Sequence, residues 1–159
     1  VAGRLQTVDG ASDIKVIIDY AHTPDALARA LSALAESDCC GQLWVLFGCG
    51  GDRDRGKRAE MGEVACRFAD RVVVTSDNPR SEPPASIIED ILEGCGDCAP
   101  LVEVDRGAAI ALAVSQAHAG DTLLIAGKGH ETYQEVAGVR LPFSDADCAA
   151  EQLLQRRAA

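Results

Sequence analysis

Four short segments gather residue types able to bind a small charged molecule: Asp19-Tyr20-Ala21-His22-Thr23-Pro24, Gly48-Cys49-Gly50-Gly51-Asp52-Arg53, Asp77-Asn78-Pro79-Arg80 and Gly127-Lys128-Gly129-His130-Glu131. Glycines let a backbone come close to a ligand. A guanidinium takes a carboxylate through two parallel hydrogen bonds, and Asp or Glu faces an ammonium. Interleaved Asp and Arg therefore suit a zwitterion. Each residue also has an ordinary use: the glycines in tight turns, Asp19 and Asp77 as caps or turn residues, His22 as a structural histidine, Arg80 as a solvent-facing side chain. Four such segments together weigh more than any one of them.

Gly51-Asp52-Arg53-Asp54-Arg55-Gly56-Lys57-Arg58 fits the spacing of a nucleotide-binding P-loop but fails its chemistry. The last position of that loop needs a Ser or Thr hydroxyl for magnesium, and Arg58 has no acceptor. Asp52 and Asp54 would repel phosphates in the cradle.

These segments fall between elements that alternate. Lys15 to Ala21 is a β-branched run followed by a helical pattern over Pro24 to Glu36, with Leu27, Leu31 and Leu34 on one face. Gln42 to Gly48 is a second strand, and Lys57 to Phe68 a helix with Met61, Val64, Ala65 and Phe68 on its apolar face. Asp70 to Ser76 predicts a third strand and Pro84 to Glu93 a helix buried through Ile87, Ile88, Ile91 and Leu92. Leu101 to Val104 and Ala108 to His118 form the next strand and helix, and Asp121 to Ala126 the fifth strand. Tyr133 to Phe143, centred on Gly138, predicts a hairpin, and Asp145 to Arg157 a last helix. Val1 to Ser12 has no clear period and reads as a linker or edge segment. This order predicts an open doubly wound α/β domain, Rossmann-like, with a mostly parallel sheet, helices on both faces and a C-terminal hairpin. In such sheets ligands bind beyond the carboxyl ends of the strands, which is where the four segments fall. The segment after the fourth strand offers only Asp105 and Arg106.

With 159 residues and 47 % hydrophobic composition the chain suits one domain. A formal net charge of -10 argues against nucleic acid as a partner, although Arg53, Arg55, Lys57 and Arg58 crowd one segment. No apolar run of about 18 residues and no leader pattern is present, so no membrane partner is expected, and a cytoplasmic location is. Seven cysteines are an odd number, which fits a reducing compartment better than a disulfide framework. Cys95 and Cys98 form a C-x-x-C without the second ligand pair that a zinc ribbon needs.

The four segments, in this order and spacing, resemble the C-terminal domain of the Mur ligases over nearly the whole chain. Asp77-Asn78-Pro79-Arg80 is similar to the recognition signature of the diaminopimelate-adding branch, where lysine-adding relatives differ. Val1-Ala2-Gly3-Arg4 resembles the segment that leads in from the preceding domain, which divides the chain into residues 1–12 and a domain over 13–159. The resemblance implies half of a composite active site in an ATP-dependent ligase that adds meso-diaminopimelate to UDP-MurNAc-L-Ala-D-Glu in peptidoglycan synthesis. There ATP phosphorylates the peptide's terminal carboxylate, and the incoming amine attacks the acyl phosphate.

Carried over by position, Arg53, Asp77, Asn78, Pro79, Arg80, Gly127 and Glu131 resemble the meso-diaminopimelate site, while Arg4, Asp19 and His22 resemble ATP-side residues. ATP and Mg2+ are expected to be held mainly by a central domain whose P-loop and carbamylated lysine this sequence does not encode. No metal site is expected in this chain, and the domain by itself is expected to be inactive. Ala59 stands where relatives often carry Pro. Two other readings are a stand-alone dicarboxylic amino-acid-binding module and the corresponding domain of a folylpolyglutamate synthetase. The latter would share the fold without Asp-Asn-Pro-Arg.

Overall fold

The computed structural model describes residues 4–8, 10, 12–37 and 41–158. The expectation for Val1-Ala2-Gly3 lies outside them. Within these bounds the strands are β1 (Gln6–Thr7), β2 (Lys15–Asp19), β3 (Leu43–Phe47), β4 (Arg71–Val74), β5 (Leu101–Val102), β6 (Thr122–Ala126), β7 (Tyr133–Val136) and β8 (Val139–Pro142). The α-helices are α1 (Pro24–Glu36), α2 (Gly56–Phe68), α3 (Pro84–Leu92), α4 (Arg106–Gln116) and α5 (Asp145–Ala158), with a short 3-10 helix at Gly96–Cys98.

The main sheet has the order β1-β2-β6-β3-β4-β5. Every pairing is parallel except β1 against β2. The chain steps outward from β3 to β5, and α4 then carries it back to insert β6 between β2 and β3. That reversal opens the crevice at the carboxyl ends of β2, β3 and β6. The segment before β2 contributes an edge strand, and Val8 N donates to Val16 O at 2.9 Å.

Side chains alternate across the sheet with the strand period of two. Ile17, Val45, Phe47, Val74 and Leu124 face α1, α2 and α3. Val16, Ile18, Trp44, Leu46, Val73 and Ile125 face α4 and α5. Both faces are therefore covered, and the doubly wound α/β fold is the one the sequence predicts. Each fully buried Leu, Ile or Val contributes about 1.5–3 kcal/mol.

Local chemistry sets the helix starts. Thr23 caps α1 by accepting from Ala26 N, with Pro24 in the first turn, and Asp105 caps α4 by accepting from Ala108 N. The antiparallel β7–β8 hairpin turns at Ala137 (φ 51°) and Gly138 (φ 79°), as a two-residue connection requires.

Two expectations are corrected. The inner stripe of α2 is Arg58, Met61, Gly62 and Ala65, so Phe68 is exposed under the guanidinium of Arg67 and Val64 is only half-buried. The cause is a close helix contact: a Cβ on Gly62 would lie 2.2 Å from Ile91 O, so α3 packs over Gly62 and sets the rotation of α2. The cysteines also differ from the reading as unpaired thiols. Cys66, late in α2, is joined by a disulfide to Cys98 of the 3-10 helix, with Cα atoms 5.8 Å apart. Cys95, the other half of the C-x-x-C, is buried in the core instead.

Candidate functional site

The loops after β3, β4 and β6 are built against one another. Gly51 N donates to Asn78 O at 2.7 Å, and Arg80 Nη1 donates to Gly51 O at 2.9 Å. Ser81 Oγ donates to Asp52 Oδ1 at 2.6 Å, and Asp52 N to Glu82 Oε2 at 2.8 Å. Arg58, whose side chain is 1 % exposed, reaches across from α2 to Gly50 O at 3.1 Å and pairs with Glu82 and Asp90. Burial works against the Arg58 charge, but the two carboxylates hold its pKa above the ordinary value. Glu82 is correspondingly held below the usual carboxylate range by its hydrogen bond from Arg58. A Cβ on Gly51 would lie 1.8 Å from Pro79 O, so only glycine lets these walls meet. At the last position of the P-loop-like spacing, the Arg58 guanidinium is committed to Glu82, Asp90 and the Gly50 carbonyl.

Arg80, like Asp52 (φ 55°) in the facing loop, is a backbone outlier of this region. Its φ is 53°, in the left-handed region that costs a non-glycine residue about 1–2 kcal/mol. Hydrogen bonds on both sides fix it there: Arg80 N donates to Glu135 O at 3.0 Å, and Ala137 N donates to Arg80 O at 2.8 Å. The hairpin therefore clamps the Asp77-Asn78-Pro79-Arg80 loop. The Glu135 carboxylate stands 3.9 Å from Arg80 Nε.

Gly127 follows β6 with φ 113°, and a Cβ there would sit 2.6 Å from Asp77 Oδ2. Lys128 follows, fully buried, with Nζ 3.2 Å from Asp77 Oδ1 and 3.6 Å from Glu131 Oε1. Tyr20 Oη donates to Glu131 Oε2 at 3.3 Å, and burial, with Glu131 beside it, pushes the Tyr20 phenol above its usual range.

These loops enclose a cavity of about 370 Å³. Arg53, Asp77, Asn78, Arg80, Gly127 and Glu131 all line it, whereas Pro79 is buried behind the loop. The walls also include Tyr20, His22, Cys49, Asp54, Lys57 and Met61, which the family pattern did not single out apart from His22. Lys57 lies one helical turn before Met61, so the position of α2 on the crevice was the signal for both. The Cys49 thiol is pushed up to about 12 by burial and by Asp77, so it is an inert wall atom.

Arg4, Asp19 and His22 line a separate groove of about 480 Å³ floored by Leu5, Ala26, Ala30 and Ala33, with Arg29 on its rim. Asp19 is almost buried, and its carboxylate accepts from Leu5 N and Ala21 N, both at 2.8 Å. It thereby pins the segment that carries Arg4. The proton on His22 Nδ1 is accepted by Tyr20 O at 2.9 Å. Tyr20 and His22 line both the cavity and the groove, so the two sites meet there. Among the described residues, no cluster of three or more His, Cys, Asp or Glu could hold a metal ion, and no helix is long and apolar enough to cross a membrane.

Residues 3–129 match the family model described as Mur ligase, glutamate ligase domain. The chain is 57 % identical over 152 residues to a UDP-N-acetylmuramoyl-L-alanyl-D-glutamate--2,6-diaminopimelate ligase from Chromobacterium violaceum, covering 95 % of this chain and 31 % of that protein. It spans about a third of the length of the curated relatives it matches. A solved structure of a UDP-N-acetylmuramoyl-L-alanyl-D-glutamate--2,6-diaminopimelate ligase superposes with a TM-score of 0.91 at 43 % identity, over 99 % of this chain and 32 % of that one. A bifunctional folylpolyglutamate synthase/dihydrofolate synthase from Yersinia pestis gives a TM-score of 0.62 at 21 % identity, over 80 % of this chain and 28 % of that one, a likeness of fold alone.

Proposed function

Because this chain belongs to the Mur ligase family through its glutamate ligase domain, we propose that it is the C-terminal, amino-acid-binding domain of the ligase that adds meso-diaminopimelate to UDP-MurNAc-L-Ala-D-Glu. In this reading residues 1–12 lead in from a central domain, their strand β1 closing the edge of the sheet of the domain over 13–159. The observation that carries the reading is the convergence of Arg53, Asp77, Asn78, Arg80 and Glu131 on one cavity. Meso-diaminopimelate is a double zwitterion, and the cavity offers it guanidinium groups for carboxylates and carboxylates for ammonium groups.

The polar ends are already sorted. Asn78 Oδ1 is turned inward, accepting from Lys128 Nζ and Glu135 N, both at 2.8 Å, so its amide NH2 is the end offered to a ligand carboxylate. Arg80 reads the distal carboxylate, its guanidinium steadied by donation to Gly51 O. Asp77 and Glu131 receive an ammonium. The attacking amine belongs beside Tyr20 and His22, where the cavity meets the groove. ATP belongs on the groove side, where the arginines and the apolar floor suit a nucleotide edge. In this reading Mg2+ is held mainly by the central domain, together with the phosphates of ATP. ATP supplies the phosphoryl group that activates the peptide carboxylate. This chain's residues orient the amine and close over the nucleotide. The cytoplasm is the compartment this reading requires.

L-Lysine lacks the distal carboxylate and would leave the ligand-facing N–H groups of Arg80 without the acceptor they are aimed at, a penalty of about 1–3 kcal/mol. The test is the ratio of kcat/KM for meso-diaminopimelate to that for L-lysine, measured in the full-length ligase with and without Arg80→Ala. The ratio should fall by about tenfold or more. An unchanged ratio would mean that the distal carboxylate is read elsewhere, with Arg53 the next candidate. The folylpolyglutamate alternative weighs less, because the Asp77-Asn78-Pro79-Arg80 set is present and clamped at the cavity.

A further inference from the structure

We propose that Lys128 is the positioning residue of the amino-acid site, a buried ammonium that sets the orientation and the net charge of the wall facing the substrate. The inference rests on the reading of the cavity as an amino-acid site.

Lys128 is one of three lysines in the chain, and its side chain is fully buried, whereas Lys15 and Lys57 are exposed. A buried ammonium is costly unless each of its three N–H groups is paired. Here Asn78 Oδ1 stands at 2.8 Å, Tyr133 O at 3.0 Å and Asp77 Oδ1 at 3.2 Å. Two N–H groups are taken by hydrogen bonds and the charge faces Asp77 as an ion pair, and the buried side chain does not line the cavity, so it offers no donor to a ligand. Lys128 therefore acts through its neighbours and is not itself a contact.

Two consequences follow from this geometry. Asp77 and Glu131 line the same cavity from different loops and would repel one another, but the ammonium lies 3.2 Å from one carboxylate and 3.6 Å from the other. Two anions and one cation leave a wall with a single net negative charge, which suits one ammonium of the substrate. Lys128 also fixes Asn78, whose carboxamide cannot turn its NH2 inward against an ammonium and the Glu135 N–H. The same cation thus fits the wall to an ammonium at one end and a carboxylate at the other. It also joins the loop after β6 to the hairpin that clamps Arg80, through Tyr133 O.

Two experiments test this. In the 159-residue chain the 15N resonance of the Lys128 ammonium, protected by its hydrogen bonds, is followed while meso-diaminopimelate is titrated. It should shift and saturate at the concentration at which calorimetry shows binding. In the full-length ligase Lys128→Met should raise KM for meso-diaminopimelate about tenfold or more and leave KM for ATP within about twofold. A subsequent Glu131→Gln change should then cost less than it does in the wild-type background, because the two residues act as a unit. If the wild-type chain does not bind meso-diaminopimelate, the parent reading fails, and this inference with it. If the chain binds but the Lys128 resonance does not move, only the positioning role is overturned, whether or not the Met variant folds. Equal rises in both KM values would likewise overturn it in favour of a general structural role.

Discussion

Replacing Arg106 by Met should destabilise the domain far more than an average helix substitution. Arg106 opens α4, where its side chain is fully buried and forms a two-pronged pair with Asp145, Nε to Oδ1 and Nη2 to Oδ2, both at 2.7 Å. It also donates to Ser76 O and Ala126 O at 3.1 Å each. Burial works against its charge, and Asp145 more than offsets that, so its pKa lies above the ordinary arginine value. Arg106→Met leaves the fully buried Asp145 carboxylate without its partner, a loss of about 3–5 kcal/mol. A domain of this size has about 5–15 kcal/mol in total, and each kcal/mol is worth about 2–4 °C in Tm. The variant should therefore melt roughly 6–20 °C lower. Arg106→Met with Asp145→Leu should recover most of that, because an apolar pair replaces the ion pair and no charge is stranded. Urea unfolding followed by fluorescence of Trp44, the single tryptophan and fully buried, measures both. A loss below about 1 kcal/mol for Arg106→Met, or a double variant no more stable than the single one, would show that the buried Asp145 carboxylate does not depend on Arg106.

Gly127→Ala should weaken meso-diaminopimelate binding and cost about 1–2 kcal/mol of stability, because φ is 113° and the new Cβ would press on Asp77 Oδ2; calorimetry and urea unfolding check both, and wild-type values for both would contradict it. Asp13 tests the acid limb. Hydrogen bonds from Arg156 hold its carboxyl down to about 2, from 3.8. The folded pKa is the lower one, so the contribution is present above 3.8 and is lost as pH falls toward about 2. Asp13→Asn should therefore be less stable than wild type at neutral pH, with the gap closing over that interval. A gap constant with pH would contradict the assignment.

The layout of strands and helices was legible because both periods were strong. α1 spans the residues its leucines predict, and β3 and β6 shrink only by a residue or two from the predicted runs. The positions of the site loops were legible too, since a parallel sheet puts the ends of its strands at one edge. The buried cations were not. Arg58, Arg106 and Lys128 read in sequence as solvent-facing or ligand-facing charges, and their anionic partners Glu82, Asp90, Asp145 and Asp77 lie between 24 and 51 residues away. No local pattern encodes such pairs. The rotation of α2 was lost for the same reason, since it depends on Gly62 meeting α3. The Cys66–Cys98 bridge joins residues 32 apart whose meeting depends on how α2 packs beside the 3-10 helix. The left-handed backbone of Arg80 was likewise hidden, because it is imposed by a hairpin more than 50 residues downstream.

The proposed function requires one cavity that recognises an amino acid carrying two carboxylates and two ammonium groups. Calorimetric titration of the 159-residue chain with meso-diaminopimelate and, separately, with L-lysine tests it most directly. Meso-diaminopimelate should bind saturably at one site, with L-lysine weaker by about tenfold or more and the difference reduced in Arg80→Ala. Equal binding of the two amino acids by the wild-type chain, or binding of neither, would contradict it.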